Sequence, residues 1–415
     1  NREMKNILPL IYLTAFLFLF GESLQPAPRI EIYERVICQS FYHNNNNSNN
    51  HKPNREDTQD CKTAPIQQEL AFLIGIERLS IIIPSLLAIP FSALADHLGH
   101  NRILSLALLG VLLEESWPFL ICWFPAIFLI RLVWLHFFFS LIGGGTTVIV
   151  TLLHVIIAKV VDARDRTRVF FRVRAAGVGA SILGYAMAGV LMKGGGAWVA
   201  WSVGNVSLGL AAAVAIMIPK TVGAGEEEAC VDEGDGESAV VQWSAWTGAA
   251  RTLGKQARGM VVRNGRVLIL LASCFLCQLA GDSVGLLMII YVSKRYGWSF
   301  ADANMLNSME MAFEFVSLIL LLPLLTSFLS KRGLSAFYNN KYTAQASIAA
   351  LAVGCICIAF APVAGIAILG MLLPSIPSIP SPLVLTSSCR LDYNSIGSRS
   401  RFPPPLSCYK HGRCE

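Results

Sequence analysis

The stretch Phe91-Ser92-Ala93-Leu94-Ala95-Asp96-His97-Leu98-Gly99-His100-Asn101-Arg102 decides the fold class. It is a tight polar turn between two apolar runs, Leu70–Ala95 before it and Ile103–Trp123 after it. A membrane span needs about 20 mostly apolar residues, and its backbone polar groups must pair within the segment. Two such runs joined by so short a turn therefore read as two membrane helices and their loop. The turn is built on Asp96, Gly99 and the terminal Arg102, with Ser92, His97 and His100 at the polar positions between them.

Outward from this turn the same pattern recurs. Further apolar runs are Ile7–Leu24, Ile127–Val160, Phe170–Met192, Ala197–Pro219, Val267–Val292, Met305–Leu329 and Tyr342–Pro362. Ile127–Val160 is long enough to tilt or to extend beyond the bilayer. Ala364–Leu373 is a short further run that meets Pro374, Pro377, Pro380 and Pro382, which remove amide donors and favour extended backbone. Hydrophobic residues make up 54% of the chain and charged ones 14%, against about 25% charged in soluble domains. Mean hydropathy is +0.55. The fold class is thus an all-α polytopic membrane protein, with about 9–10 spans. The net charge of +6 is spread over loops between spans rather than gathered in one patch, which argues against a nucleic-acid partner.

Lys and Arg in short loops set the orientation. Lys159, Arg164, Arg166, Arg168, Arg172 and Arg174 follow the fourth run, and Lys331, Arg332 and Lys341 follow the eighth. Arg131, Lys193 and the Lys294-Arg295 pair fall on the opposite side. The balance predicts a cytoplasmic N-terminus. Residues 1–219 are then a six-helix bundle with an external loop at 25–68. Residues 220–266 are a cytoplasmic linker, acidic from Glu226 to Glu237. It carries an amphipathic helix with Trp243, Trp246, Ala250, Leu253, Ala257 and Met260 on one stripe, which lies on the inner leaflet or packs on the protein. Residues 267–373 are a partial second bundle, and 374–415 a tail rich in Pro, Ser and Arg, expected to be disordered.

The predicted external loop holds Cys38 and Cys61, which could pair in an oxidising compartment, although spacing alone does not bring their Cα atoms together. Asn46-Asn47-Ser48 is either a glycosylation acceptor or a chance match in an Asn-rich tract. Cys274 and Cys277 sit inside an apolar run and read as packing residues, and no metal site is indicated. Arg2 and Lys5 before Ile7–Leu24, with Gly21-Glu22-Ser23 after it, leave a cleaved signal as the alternative to a first span.

On these residues the chain resembles the major facilitator superfamily of transporters. The family's loop between second and third helices reads G-x-x-x-D-[RK]-x-G-[RK]-x-[RK]; Asp96, Gly99 and Arg102 match it, while Ser92, His97 and His100 depart from it. Arg131-Leu132-Val133-Trp134, Gly143–Gly145, Asp165–Phe170 and Tyr291–Trp298 are similar to segments of fungal members. The resemblance implies two six-helix halves around a central cavity lined by the first, fourth, seventh and tenth helices. It also implies that Asp96, Gly99 and Arg102 form a gating loop on the cytoplasmic side. The fifth run has Gly184-Tyr185 where antiporters carry Gly-Pro, and the spans fall short of twelve.

Candidate site residues follow from polar groups in apolar runs. In the fourth run, His136, Ser140, Gly143, Thr147, Thr151 and His154 are spaced to share one helical face. That face lines the cavity, or else it packs on a neighbour with its hydroxyls bonded to their own helix. In the seventh run, Gln278 and Asp282 are one turn apart, and Asp282 is the strongest candidate for a substrate-charge or proton-coupling group. Glu310 and Glu314 are one turn apart in the eighth, where mutual repulsion favours a shared proton. Glu77-Arg78 and Glu114-Glu115 read as structural pairs, and Ala176, Ala180, Gly184 and Ala188 as a small-residue packing stripe, facing a helix of the other half.

The expected function is secondary active transport of a small solute by alternating access, with proton coupling as one option. The protein is expected to be a monomer in the lipid bilayer, at the plasma membrane rather than the vacuole, with no cofactor. No H-E-x-x-H, P-loop or G-x-S-x-G motif points to an enzyme. The alternative is a non-transporting remnant or membrane scaffold, since the chain begins at Asn1 and its C-terminal residues resemble no span, as a truncated sequence would.

Overall fold

A computed structural model describes residues 2–48, 61–80, 84, 91, 94–95, 99–161, 165–219, 285, 287–321, 324, 328 and 336–373. Asp96, His97, Gln278, Asp282, the Cys274–Cys277 pair, Lys331, Arg332, the linker at 220–266 and the tail at 374–415 lie outside these residues. The described residues are helical, and five stretches are long and apolar enough to cross a membrane: Ile7–His43, His100–Trp123, Ile130–Val160, Val169–Gly195 and Ala197–Ile216.

The first run does not end at Leu24. Helix α1, Arg2–Leu24, bends at Gln25 and continues as α2, Pro26–Ser48. Pro26 has no amide to donate and so starts a new helix at little cost. The loop predicted from Gln25 is therefore helical for most of its length. Its charges hid an apolar face on which Ile30, Tyr33, Val36 and Ile37 are buried. At about 1.5 Å per residue, the two helices together are far longer than a bilayer core is thick. Cys38 on α2 is joined to Cys61, with Cα atoms 5.5 Å apart, just before α3, Ala64–Ser80.

Helix α4, His100–Trp123, follows the turn. The fourth run is broken. It comprises a 3-10 segment at Ile130–His136, a single turn α5 at Phe137–Ser140, and α6 at Gly145–Val160. Gly144 and Gly145 sit at φ +81° and +70°, a conformation that side chains with a Cβ resist. A Cβ on Gly143 would lie 2.2 Å from the Ala107 Cα, so the break lets the chain press directly on α4. Helices α7, Arg166–Gly195, and α8, Ala197–Ile216, complete the first bundle. Its core is Ile11, Phe18, Leu104, Val111, Val148, Leu152, Ile156, Leu208 and Ala211. Outward-facing Leu183, Val190, Val206 and Leu210 are exposed, and each would cost about 1.5–3 kcal/mol in water rather than lipid.

Asn101, Lys159 and Ile218 mark one end of this bundle, and the Cys38–Cys61 disulfide marks the other. Asp165, which leads into α7, lies at the Asn101 end, as does Lys159, whose Nζ is 3.2 Å from His100 Nε2. At the disulfide end Phe119, Trp123, Trp198 and Trp201 pack largely edge to face, the Trp123 and Trp198 centroids 5.0 Å apart, as in an aromatic belt at a membrane interface.

The chain divides into two compact units, residues 1–315 and 316–415. The first includes the helical residues 287–296 and nearly all of α9, Phe300–Val316. The second contains a π-helical turn, Ser317–Leu321, and α10, Ala336–Ala359, packed on α11, Ala364–Leu372.

Candidate functional site

Four segments that are distant in sequence meet in one buried ionic cluster. Arg29 comes from α2, Glu77 and Ser80 from α3, Glu114 and Glu115 from α4, and His136 from the 3-10 segment. The Arg29 Nη1 donates to both Glu115 oxygens, at 3.1 and 2.9 Å, and lies 3.1 Å from Glu77 Oε1. Arg29 and Glu77 are almost wholly buried. An ion pair this deep survives because each charge has a partner; alone, none could remain ionised in an apolar bundle. Glu77 and Glu115, members of pairs that read as structural, face Arg29, a cation that the sequence reading placed in the loop at 25–68.

His136 occupies the centre of the site. Its Nδ1 is 3.2 Å from Glu114 Oε1 and its Nε2 is 3.1 Å from Ser80 Oγ. Ser80 has one hydroxyl hydrogen and donates it to the Glu77 carbonyl at 2.6 Å. His136 Nε2 must therefore be the donor to Ser80. Glu114 is thus the charged neighbour of His136 Nδ1, a buried atom that makes no hydrogen bond among the described residues. Tyr33 is fully buried near Arg29, Glu77 and Glu115, and its hydroxyl has no partner among the described residues. Gln25, at the bend, accepts from Trp201 Nε1 at 3.1 Å.

Thr147 and His154 of the predicted polar stripe do not share a face with His136. Ser140 is buried and bonds to the Phe137 carbonyl. The glycine break re-phases the helix, so Thr147 and His154 point to the exposed side of α6. Thr151 donates to the Thr147 carbonyl at 2.8 Å, and His154 Nδ1 lies 2.7 Å from the Val150 carbonyl. Both back-bond to their own helix.

A second polar tract joins α1, α7 and α9. Ser23 donates to the Leu19 carbonyl at 2.7 Å, and the buried Tyr185 lies near Ser23 and in the field of Glu310, Arg78 and Glu22. The Glu310 carboxyl faces Gly285, 4.0 Å from where a Cβ there would stand. Glu314 does not share a proton with Glu310 alone, because Arg174 on α7 pairs with it. The small-residue stripe of α7 packs on α1 rather than on the other half: a Cβ on Gly184 would lie 2.7 Å from Ser23 Cβ and 2.8 Å from the Phe20 oxygen. Contact with α9 is made beside the stripe. Asn304 and Ser308 donate to the carbonyls of Tyr185 and Ile182, and Met305 lies over Gly189.

At the turn, Gly99 has φ +96°, which explains the glycine of the motif. The anchoring residue is one the motif does not specify. Asn101 Nδ2 donates to the carbonyls of Ile218, at 2.8 Å, and Pro219, pinning the chain just beyond the C-terminal end of α8. Arg102 is exposed. At the far end of α7, Lys193 pairs with Asp302. Ser299 caps α9: its Oγ accepts from the Asp302 amide at 3.1 Å and donates to the Asp302 carboxylate at 2.6 Å. The Lys193 ammonium, and then the Ser299 hydroxyl, hold the Asp302 carboxyl below its usual range. The Ser-x-x-Asp signature was legible but was not used, because the predicted span began at Met305.

Residues 63–394 match the family model described as Major Facilitator Superfamily. The chain is 29% identical over 374 residues to the MFS efflux pump atnC of Emericella nidulans, covering 88% of this chain and 71% of that protein. It is 28% identical over 316 residues to the efflux pump ustT of Aspergillus flavus, covering 74% of this chain and 60% of that one. Among solved structures, a partially occluded, inward-open xylose transporter XylE from E. coli aligns with a TM-score of 0.59 at 14% identity, over 93% of this chain and 87% of that one.

Proposed function

The chain belongs to the Major Facilitator Superfamily, and from that premise we propose that it exports a small organic solute in exchange for protons, by alternating access. Its all-α polytopic fold and membrane location are those of the family. Export is suggested by the efflux pumps it is most usefully compared with. The orientation proposed places the Asn101 end in the cytoplasm and the disulfide end outside, where an oxidising medium maintains Cys38–Cys61. The plasma membrane is the proposed location.

One observation carries the proton coupling: His136 Nδ1 lies 3.2 Å from Glu114 Oε1 deep inside an apolar bundle, next to an arginine with two acidic partners, and this is where we propose that a proton is held. A change in that proton alters the net charge of the cluster and with it the cost of keeping Arg29, Glu77 and Glu115 dry. A movement that hydrates the cluster would release the proton and one that dehydrates it would recapture it. Asp282, one turn from Gln278 in the seventh run, is the proposed counterpart in the second half. Thr147, Thr151, His154, Glu310 and Glu314 are proposed to border the path of the solute.

The test is reconstitution of the full chain into vesicles with an imposed pH gradient and a panel of small organic acids, bases and neutral metabolites. Glu114→Gln and Asp282→Asn should abolish pH-driven movement while solute exchange at equal pH persists. Unchanged pH-driven movement in Glu114→Gln would remove the cluster from coupling. A chain that moves no solute at all would favour the scaffold alternative.

A further inference from the structure

Lys62 stands where three helices end. Its Nζ is 2.7 and 3.0 Å from the two oxygens of Glu34 on α2, whose side chain is almost buried. It also donates to Ser293 Oγ at 2.9 Å, and it lies 4.0 Å from the centroid of the Phe300 ring. Ser293 belongs to the helical residues 287–296 and Phe300 is the first residue of α9; both side chains are buried. One ammonium therefore joins α2 to two helices encoded more than 220 residues later, as the sequence separation of 231 to Ser293 makes plain. It does so with a charge-assisted hydrogen bond, a hydroxyl and an aromatic face.

The segment that presents Lys62 is held from both sides. Cys61, its neighbour, is bonded to Cys38 on α2. The Cys61 carbonyl accepts from Gln67 Nε2 at 3.0 Å, and Gln67 also donates to Glu34. Disulfide, amide and carboxylate thus place the lysine, leaving it little freedom to lose when it reaches across to Ser293 and Phe300.

We propose that Lys62 is the gate residue of the disulfide end: it bolts α2 to the 287–305 helix ends, and it must let go of Ser293 and Phe300 each time that end opens. Glu34 and Gln67 keep it on the α2 side throughout, so the bolt returns to the same place. This gate rests on the alternating-access reading, but its test needs no solute.

The test is hydrogen–deuterium exchange of the full chain in lipid nanodiscs. In Lys62→Ala, amides across 287–305 should exchange about tenfold faster, as expected when a local opening is made easier. Amides of α6 and of the Asn101 junction should be unchanged. Lys62→Arg, which keeps a cation and its donors, should retain most of the protection. Cys38→Ala with Cys61→Ala should accelerate the same amides, because the lysine is no longer placed. Unchanged exchange at 287–305 in Lys62→Ala would overturn the proposal, and so would equal acceleration at both ends, which would mean general loosening. If Lys62→Ala opens the disulfide end alone and the unaltered chain still moves no solute, the gate stands and the transport reading falls.

Discussion

Arg29 shows how strongly single residues are committed in this protein. It is nearly buried and within 3.1 Å of two carboxylates. Its removal leaves Glu77 and Glu115 as buried charges without a cation, and breaking such a pair costs about 3–5 kcal/mol. Arg29→Ala should therefore unfold at markedly lower temperature in detergent than the unaltered chain. A companion change, Glu115→Leu, should return part of that loss, because it removes one of the stranded charges. Gly99 is committed for a different reason. Among the described residues nothing lies within 4 Å of where its Cβ would be, so the cost is one of conformation. Gly99→Ala should destabilise by about 1–2 kcal/mol, the penalty for a Cβ in the left-handed region, measured as a fall in thermal midpoint.

Among the elements, the broken fourth run is the instructive case. Its hydropathy reads as one long helix, and a helix would have aligned His136, Ser140, Thr147, Thr151 and His154. The Gly143–Gly145 triplet interrupts it, because two positive-φ glycines turn the chain and the third presses on Ala107. His136 and Ser140 are then rotated into the bundle, while Thr147 and His154 stay on the open side. Gly143→Ala forces a Cβ into backbone of α4 that cannot yield as a side chain could. The expected loss is at the upper end of the roughly 1–3 kcal/mol typical of overpacking, and thermal unfolding checks it. Gly144→Ala, strained in φ and facing Val148 and Phe91, should fall in the same direction.

For the molecule as a whole, the acid response of the α7–α9 seam can be stated with its sign. The carboxyl of Asp302 has a lowered pKa in the folded chain, through Lys193 first and Ser299 second. Its contribution is therefore present above the ordinary carboxylate pKa and is lost as pH falls through the lower folded value. The pair is well exposed, so the effect is small. Asp302→Asn should lower stability slightly at pH 7 and flatten the acid side of the pH–stability curve, with the two proteins converging at low pH. Stability that still falls equally steeply in the variant would assign the acid loss to other groups.

The spans, the turn at Gly99 and the family were legible because hydropathy and a local motif report on one segment at a time. Lipid demands an apolar run of fixed length wherever the chain crosses it, and that demand is written residue by residue. The α2 helix was hidden because Arg29, Glu31, Glu34 and Arg35 look like a solvated loop until their partners are known. The ionic cluster was hidden for the same reason. Its members come from four separated segments, and a charge is affordable in a membrane only when the fold brings its opposite within reach. That helices such as His100–Trp123 and Ala197–Ile216 are long and apolar enough to cross a bilayer was thus legible in composition along the chain. Which charges neutralise one another was settled only by packing, since electrostatic energy depends on distances that the order of residues does not contain.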